Sequence, residues 1–234
     1  MTDTVAFHGF PAEGRQFFAE LAANNNREWF AAHKAMYQRS IQQPAQAFTQ
    51  ALGERLQHLA PDIQYDLRLN GSGSIMRIYR DTRFSKDKSP YKTNLGIVFW
   101  QGQHKKTESP GFYFHLDSTA TTLYTGIYTF PPPMLADYRQ AVDDTERGSE
   151  LAALIATLQH AGYTIGGESF KRVPRGFAAD HPRANLLRHS GISAMSPVID
   201  ETTLCSPTLI DVCYTLAQTM LPLHQWLVRL PIEA

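Results

Sequence analysis

Cysteine is scarce in this chain of 234 residues: only Cys205 and Cys213 occur. They lie in an apolar stretch with helical patterning, where their spacing corresponds to about 12 Å of axial rise, too far for a disulfide. There is no C-x-x-C, and none of the nine histidines falls in H-x-x-H, H-x-x-x-H or H-E-x-x-H. A zinc or redox motif therefore has no support, and no metal or cofactor is expected. G-x-S-x-G is missing, which argues against an α/β-hydrolase nucleophile. No apolar run approaches about 18 residues, and the first residues lack a basic segment followed by an apolar one, so no membrane span is expected and the cytoplasm is the default compartment. Net charge is absent as well, with 22 Lys+Arg against 22 Asp+Glu and a pI near 7.1. That balance disfavours a protein that coats nucleic acid or anionic membrane with its whole surface, while leaving a local patch possible.

What is present suits a folded domain. The hydrophobic fraction is 43% and the charged fraction 19%. A globule of this length buries roughly 70–75% of its unfolded surface and needs no staples. Phe17, Phe18, Leu21 and Ala22 recur at helical spacing, and Asn24-Asn25-Asn26 interrupts them. Asn26 is a suitable N-cap for a second helix carrying Trp29, Phe30, Ala32, Tyr37 and Ile41. Pro44 is expected to open a third, striped by Phe48, Leu52, Leu56 and Leu59.

Strand signals follow. Ser74–Phe84, Asn94–Trp100, Gly111–Asp117 and Thr121–Phe130 are rich in β-branched and aromatic residues or alternate in polarity. Short connections without intervening helix predict an antiparallel meander. Beyond Pro131-Pro132-Pro133, helices are expected from about Met134 and over Glu150–Ala161. A hairpin is expected over Tyr163–Val173, turning at Gly166-Gly167. A short helix near Ala184–His189, a strand near Ile192–Val198 and a long helix over Thr202–Leu230, kinked at Pro207 and Pro222, complete the reading. The expected fold class is α+β, with N-terminal and C-terminal helices packed on an antiparallel sheet, in one compact domain spanning 1–234.

The charge of the chain is concentrated in one place. Residues 77–92 hold six basic side chains (Arg77, Arg80, Arg83, Lys86, Lys88 and Lys92) against Asp81 and Asp87, a local charge of +4 that the remainder must offset. As a strand end and loop, this stretch would set Arg77 and Tyr79 on one face and Ile78 and Arg80 on the other. A return to extended structure at Tyr91–Asn94 would bring Lys92 near Arg80 or Arg83. Arginine offers a planar fork to phosphate or carboxylate and lysine a mobile point charge. Arg77, Arg80, Arg83, Ser85 and Lys92 are therefore the candidate ligand-binding set, with Ser89 and Thr93 as helpers. Asp81 and Asp87 could instead pair with the cations, and the Lys86–Lys88 tip reads as solvated.

Other constellations carry less. Trp29, His33 and Tyr37 share a helix face, either as core or as an aromatic wall beside the basic loop. Tyr113, His115 and Asp117 share one strand face; His115, with Tyr113 beside it, is the candidate for proton transfer. Lys171, Arg172, Arg175, Gly176 and His181 form a second basic loop. Asn70-Gly-Ser-Gly-Ser74 precedes a strand rather than a helix and reads as a flexible turn, not a phosphate loop.

The run Arg77-Ile-Tyr-Arg-Asp-Thr-Arg-Phe-Ser-Lys-Asp-Lys-Ser-Pro-Tyr-Lys-Thr-Asn94 resembles the signature of a widespread bacterial family of conserved hypothetical proteins, a domain of unknown function. Phe7-His-Gly-Phe10, Asn24–Phe30 with Lys34 and Tyr37, and Arg172–Phe177 with His181-Pro182 resemble it too. The resemblance covers nearly the whole chain and implies one compact unit. It implies no reaction.

Three uses of the basic stretch stay open: a site for a small anionic ligand, whether or not catalysis follows; a nucleic-acid or protein interaction patch, in which Tyr79, Phe84, Tyr91 and Trp100 would stack bases; or an internal ion-pair cluster, with Glu28 and Asp66 among its partners. The first is the leading expectation. Neutral net charge counts against nucleic acid, and oligomeric state is not encoded in any recognisable pattern.

Overall fold

In the computed structural model, residues 6–102 and 105–230 are described. The first helix, α1 (Glu13–Ala23), buries Phe17, Phe18 and Leu21. Asn26 accepts a hydrogen bond from the Trp29 N–H at 2.9 Å and so caps α2 (Arg27–Tyr37), as expected. The third helix, α3 (Gln43–Leu59), does not start afresh at Pro44. It follows α2 directly through a π-helical turn, Gln38–Gln42. Proline has no N–H to return to the preceding turn and its ring crowds that turn's carbonyl. A wider turn just before Pro44 accommodates both without ending the helix.

The sheet has six strands in the order β1-β2-β3-β4-β6-β5. These are β1 (Ile63–Gln64), β2 (Asn94–Gln101), β3 (Gly111–Asp117), β4 (Thr121–Ile127), β5 (Thr164–Glu168) and β6 (His189–Met195). With the flanking helices this is an α+β fold built on an antiparallel sheet. In β3, Phe112, Phe114 and Leu116 are buried while Tyr113, His115 and Asp117 are partly exposed, the alternation the sequence predicts.

Three expectations are corrected. Ser74–Phe84 is not a ladder strand; it touches its neighbour only through isolated bridges, Ile75 to Ile97 and Tyr79 to Tyr91. Three residues lie between the bridges on one side and five on the other, so pairing cannot run continuously between them. Gly166-Gly167 is not a hairpin turn but lies within β5, where the pairing with β6 slips between Gly166 and Glu168. The long C-terminal helix is two: α7 (Glu201–Leu204), capped by Asp200, and α8 (Leu209–Val228), which contains Pro222. Cys205 ends α7 and is exposed, Cys213 is buried in α8, and both are free thiols.

The chain divides into two compact units. The first comprises Met1–Phe99, Tyr113–Leu123 and Val198–Thr215. Its core sets Phe114 against Phe48, ring centroids 4.4 Å apart, and in a stack with Phe10 at 5.8 Å. The second comprises Trp100–Phe112, Tyr124–Pro197 and Leu216–Ala234. It holds α4 (Pro132–Asp143), α5 (Thr145–His160) and α6 (Ala184–Leu187). There Trp226 donates from its indole N–H to the Arg147 carbonyl at 3.1 Å, and Tyr138 donates to the Leu186 carbonyl at 3.0 Å. No helix among the described residues is long and apolar enough to cross a membrane.

Candidate functional site

The basic stretch lies in the first unit, and backbone pairing positions it. The Met76 N–H donates to the Gly96 carbonyl at 2.9 Å, the Lys92 N–H to Ile78 at 2.7 Å and the Arg80 N–H to Pro90 at 2.9 Å. Asn25 fixes the returning chain: its amide donates to the Tyr91 carbonyl at 3.0 Å and accepts from the Tyr91 N–H at 3.1 Å. The triplet at 24–26 thus does two jobs, one helix cap and one clamp on the segment that carries Lys92.

The five expected ligand-binding residues separate into two groups. Arg80 is engaged by Asp87 through Nη1. Arg83 is held by Asp81 in a fork, Nε at 2.9 Å and Nη2 at 2.6 Å. The carboxylates expected to compete with a ligand do so here, and neither Glu28 nor Asp66 is the partner; Asp66 engages Arg68 instead. The Asp81 carboxyl is lowered to a pKa of about 2, chiefly by Arg83, with a smaller contribution from the charge of Arg77. Asp87 is lowered further, by Ser89 and then Arg80. Lys88 donates to the Thr82 carbonyl at 2.9 Å, which ties the tip to itself. Ser85 takes part only through its backbone, the N–H lying 3.4 Å from the Thr82 carbonyl.

Arg77 and Lys92 behave differently. Neither side chain makes a hydrogen bond or ion pair with any described residue. Burial, and after it the charge of Arg77, lowers the Lys92 ammonium from its ordinary pKa. Lys92 thus lies within the field of Arg77, on a segment whose Lys92 N–H donates to the Ile78 carbonyl beside the bridge between Tyr79 and Tyr91.

Arg77 borders a pocket of about 380 Å³. Its other walls are Lys34, Tyr37, Gln38 and Gln42 from the continuous helix, Phe30 behind them, and Leu69, Asn70, Ile75, Met76, Ile78 and Tyr79 from the opposing segment. Tyr37 is buried, and burial together with Tyr79 pushes its phenol up to about 12, so it stays a neutral hydrogen-bonding group. Phe30 stacks on Tyr91 at 4.2 Å and Tyr79 lies 5.4 Å from Tyr91, an aromatic group of which Phe30 and Tyr79 line the pocket. Of the expected aromatic wall only Tyr37 lines this pocket; His33 stacks on Trp29 at 3.9 Å. Lys34, Gln38 and Gln42 are the lining residues that reading for charge clusters passes over.

The proton-transfer candidates sit on β3. His115 Nε2 lies 3.0 Å from Asp117 Oδ2, while Nδ1 is 3.5 Å from the Asn94 amide. Asp117 also receives the Thr119 and Ala120 N–H groups at 2.7 and 2.8 Å. Burial raises the Asp117 pKa, but the hydrogen bonds from His115 and these turn groups outweigh it and keep the carboxylate ionised. An ionised Asp117 favours the tautomer with the proton on Nε2, leaving Nδ1 as the basic nitrogen. Tyr113 lies across Gly96, where even an added methyl would come within 2.5 Å of its hydroxyl. Neither Tyr113 nor His115 lines the pocket bordered by Arg77.

In the second unit, Lys171, Arg172 and Arg175 are exposed and Gly176 adopts a positive φ, while His181 lies 3.2 Å from Asp143. Among the described residues no three His, Cys, Asp or Glu side chains gather as a metal would require.

No curated protein and no solved structure matches the chain. A family model does, over residues 13–226, taking in the pocket, the basic stretch and the β3 face alike: the chain belongs to the conserved hypothetical protein family DUF2461.

Proposed function

We propose that this chain binds a small anionic ligand, bearing phosphate or carboxylate, in the pocket bordered by Arg77 and Lys34, with Lys92 adding its field beside Arg77. One observation carries the reading: within a single run of cations, Arg80 and Arg83 are each ion-paired to a carboxylate, whereas neither Arg77 nor Lys92 makes a hydrogen bond or ion pair with a described residue, Asp81 feels Arg77 only through its field, and Arg77 disfavours the Lys92 ammonium. Lys92 is half-buried and Arg77 is exposed beside it; a like charge nearby disfavours the ammonium, and a bound anion would offset that repulsion. A cytoplasmic setting, rich in phosphorylated metabolites, suits this use. Proton transfer on a bound molecule would fall to His115, oriented by Asp117, if such a molecule extends to the β3 face.

The test is thermal unfolding with inorganic phosphate against chloride at matched ionic strength. Phosphate is expected to raise the midpoint of the wild type and not that of Arg77→Ala. Equal shifts with both salts, or an unchanged phosphate effect in Arg77→Ala, would overturn the reading.

A second reading rests on Phe84, which is 95% exposed between Arg83 and Ser85 at a tip tied down by ion pairs. An aromatic ring presented this way suits base stacking in single-stranded nucleic acid. Binding that falls steeply with salt and is lost in Phe84→Ala would favour it.

A further inference from the structure

We infer that the ligand is a phosphorylated planar heterocycle of nucleotide size, its ring held by Gln38, Gln42 and Tyr79 and its phosphate by Lys34 and Arg77. This rests on the anion site proposed above and adds the class of molecule that fills it.

The pocket is larger than a bare anion needs. Its volume of about 380 Å³ falls within the range typical of sites for drug-sized molecules. The cations Lys34 and Arg77 account for one part of the lining. The rest is aromatic, aliphatic and amide, which phosphate alone would leave unused.

The amides are the informative part. Gln38 and Gln42 open and close the π-helical turn, and both line the pocket. Neither side chain makes a hydrogen bond with a described residue. Each carries a donor and an acceptor on one planar group, the pattern that pairs with the edge of a heterocyclic base. Asn70 adds a third amide, its oxygen already committed to the Ser72 N–H at 3.0 Å and the Ser72 hydroxyl at 2.6 Å, which leaves its NH₂ as donor. Short π-helical segments recur at functional sites, and this one forms a pocket wall.

A stacking surface is also present. Tyr79 is 54% exposed although its ring belongs to the aromatic group of Phe30 and Tyr91. Exposed aromatic faces beside cations accept flat rings, as they do in sites for single-stranded nucleic acid. A sugar phosphate can meet the glutamine amides through its hydroxyls, but it brings no flat ring to stack on Tyr79 and no planar edge to pair with two amides at once.

Calorimetric titration compares inorganic phosphate, ribose 5-phosphate and the four ribonucleoside 5′-monophosphates on the wild type, Arg77→Ala and the double variant Gln38→Ala/Gln42→Ala, each first confirmed folded by circular dichroism. At least one nucleotide is expected to bind about tenfold or more tighter than ribose 5-phosphate, the size of one good amide–base contact. The double variant should lose that increment and keep the weaker binding of ribose 5-phosphate. Should ribose 5-phosphate bind as tightly as every nucleotide, and lose affinity in Arg77→Ala, the nucleotide inference is overturned while the anion site stands. If none of the ligands depends on Arg77, both fall.

Discussion

The Lys92 ammonium stands in the field of the Arg77 guanidinium, on a segment bridged through Tyr91 to Tyr79. A half-buried ammonium next to a guanidinium is a cost the fold carries with no carboxylate in ion-pair contact with either group among the described residues. Replacing Lys92 by Met keeps the length of the side chain and removes the repulsion. Lys92→Met is expected to leave stability unchanged or raise it by up to about 1 kcal/mol in chloride buffer. It should also lose much of the phosphate-induced rise in midpoint. Chemical denaturation with and without phosphate reads both effects.

Arg80 gives the opposite expectation. Its partner Asp87 also accepts from the Ser89 N–H at 2.9 Å and hydroxyl at 2.6 Å, so the loop keeps its shape when the guanidinium is removed. Exposed ion pairs contribute little because water screens them. Arg80→Ala is expected to leave the thermal midpoint nearly unchanged and phosphate affinity within about threefold of the wild type, since the pair is screened. Titration of Arg80→Ala and Arg77→Ala side by side checks whether the two arginines differ as their pairing implies.

The contrast also shows how far the sequence carried. The alternation in Gly111–Asp117 marks β3 because one buried face repeats every second residue, and Asn26 is legible as a cap from its type and place. Asp81 lies two residues from Arg83 and Asp87 seven from Arg80, so both pairs were foreseeable as local competitors for the cations. The pocket was not legible. Its walls come from residues 30–42 and 69–79, and the pairing that positions Lys92 depends on bridges between segments apart in sequence. The π turn leaves no signature in polarity either: Gln38 and Gln42 look like the solvated face of an ordinary helix.

Asn25 offers a check on that register. Its amide pairs with both backbone groups of Tyr91, as a neighbouring strand would, and this is the anchor for the chain entering Lys92. Asn25→Ala leaves the Tyr91 N–H and carbonyl without these partners in a part-buried place. The expected destabilisation is about 1–3 kcal/mol, the usual cost of such orphaned groups. Hydrogen exchange at Tyr91 and Lys92 should accelerate, while exchange in α8 is unaffected. Protection at Tyr91 equal to the wild type would mean that the bridge to Tyr79 holds the register alone.

His224 sets a pH limit on the second unit. It is fully buried, stacks on Phe112 at 5.0 Å and has Nε2 2.8 Å from the Gln101 side-chain oxygen, which fixes the proton on Nε2; Nδ1 has no partner among the described residues. Burial lowers its pKa from 6.5 to about 4. In the unfolded chain the ring takes up a proton near pH 6.5, whereas the folded chain resists until about pH 4. Between these values the unfolded state binds more protons, so stability falls as pH falls, by up to about 3 kcal/mol across the window. The loss is complete near the folded value and is absent above the unfolded one. His224→Phe removes the titration and keeps an aromatic ring against Phe112, at the expense of the hydrogen bond to Gln101. Its denaturation free energy should be lower than the wild type at pH 7.5, but it should fall less steeply between pH 6.5 and 4.5. Parallel pH profiles for the two proteins would show that His224 does not titrate in this range and that acid sensitivity arises elsewhere.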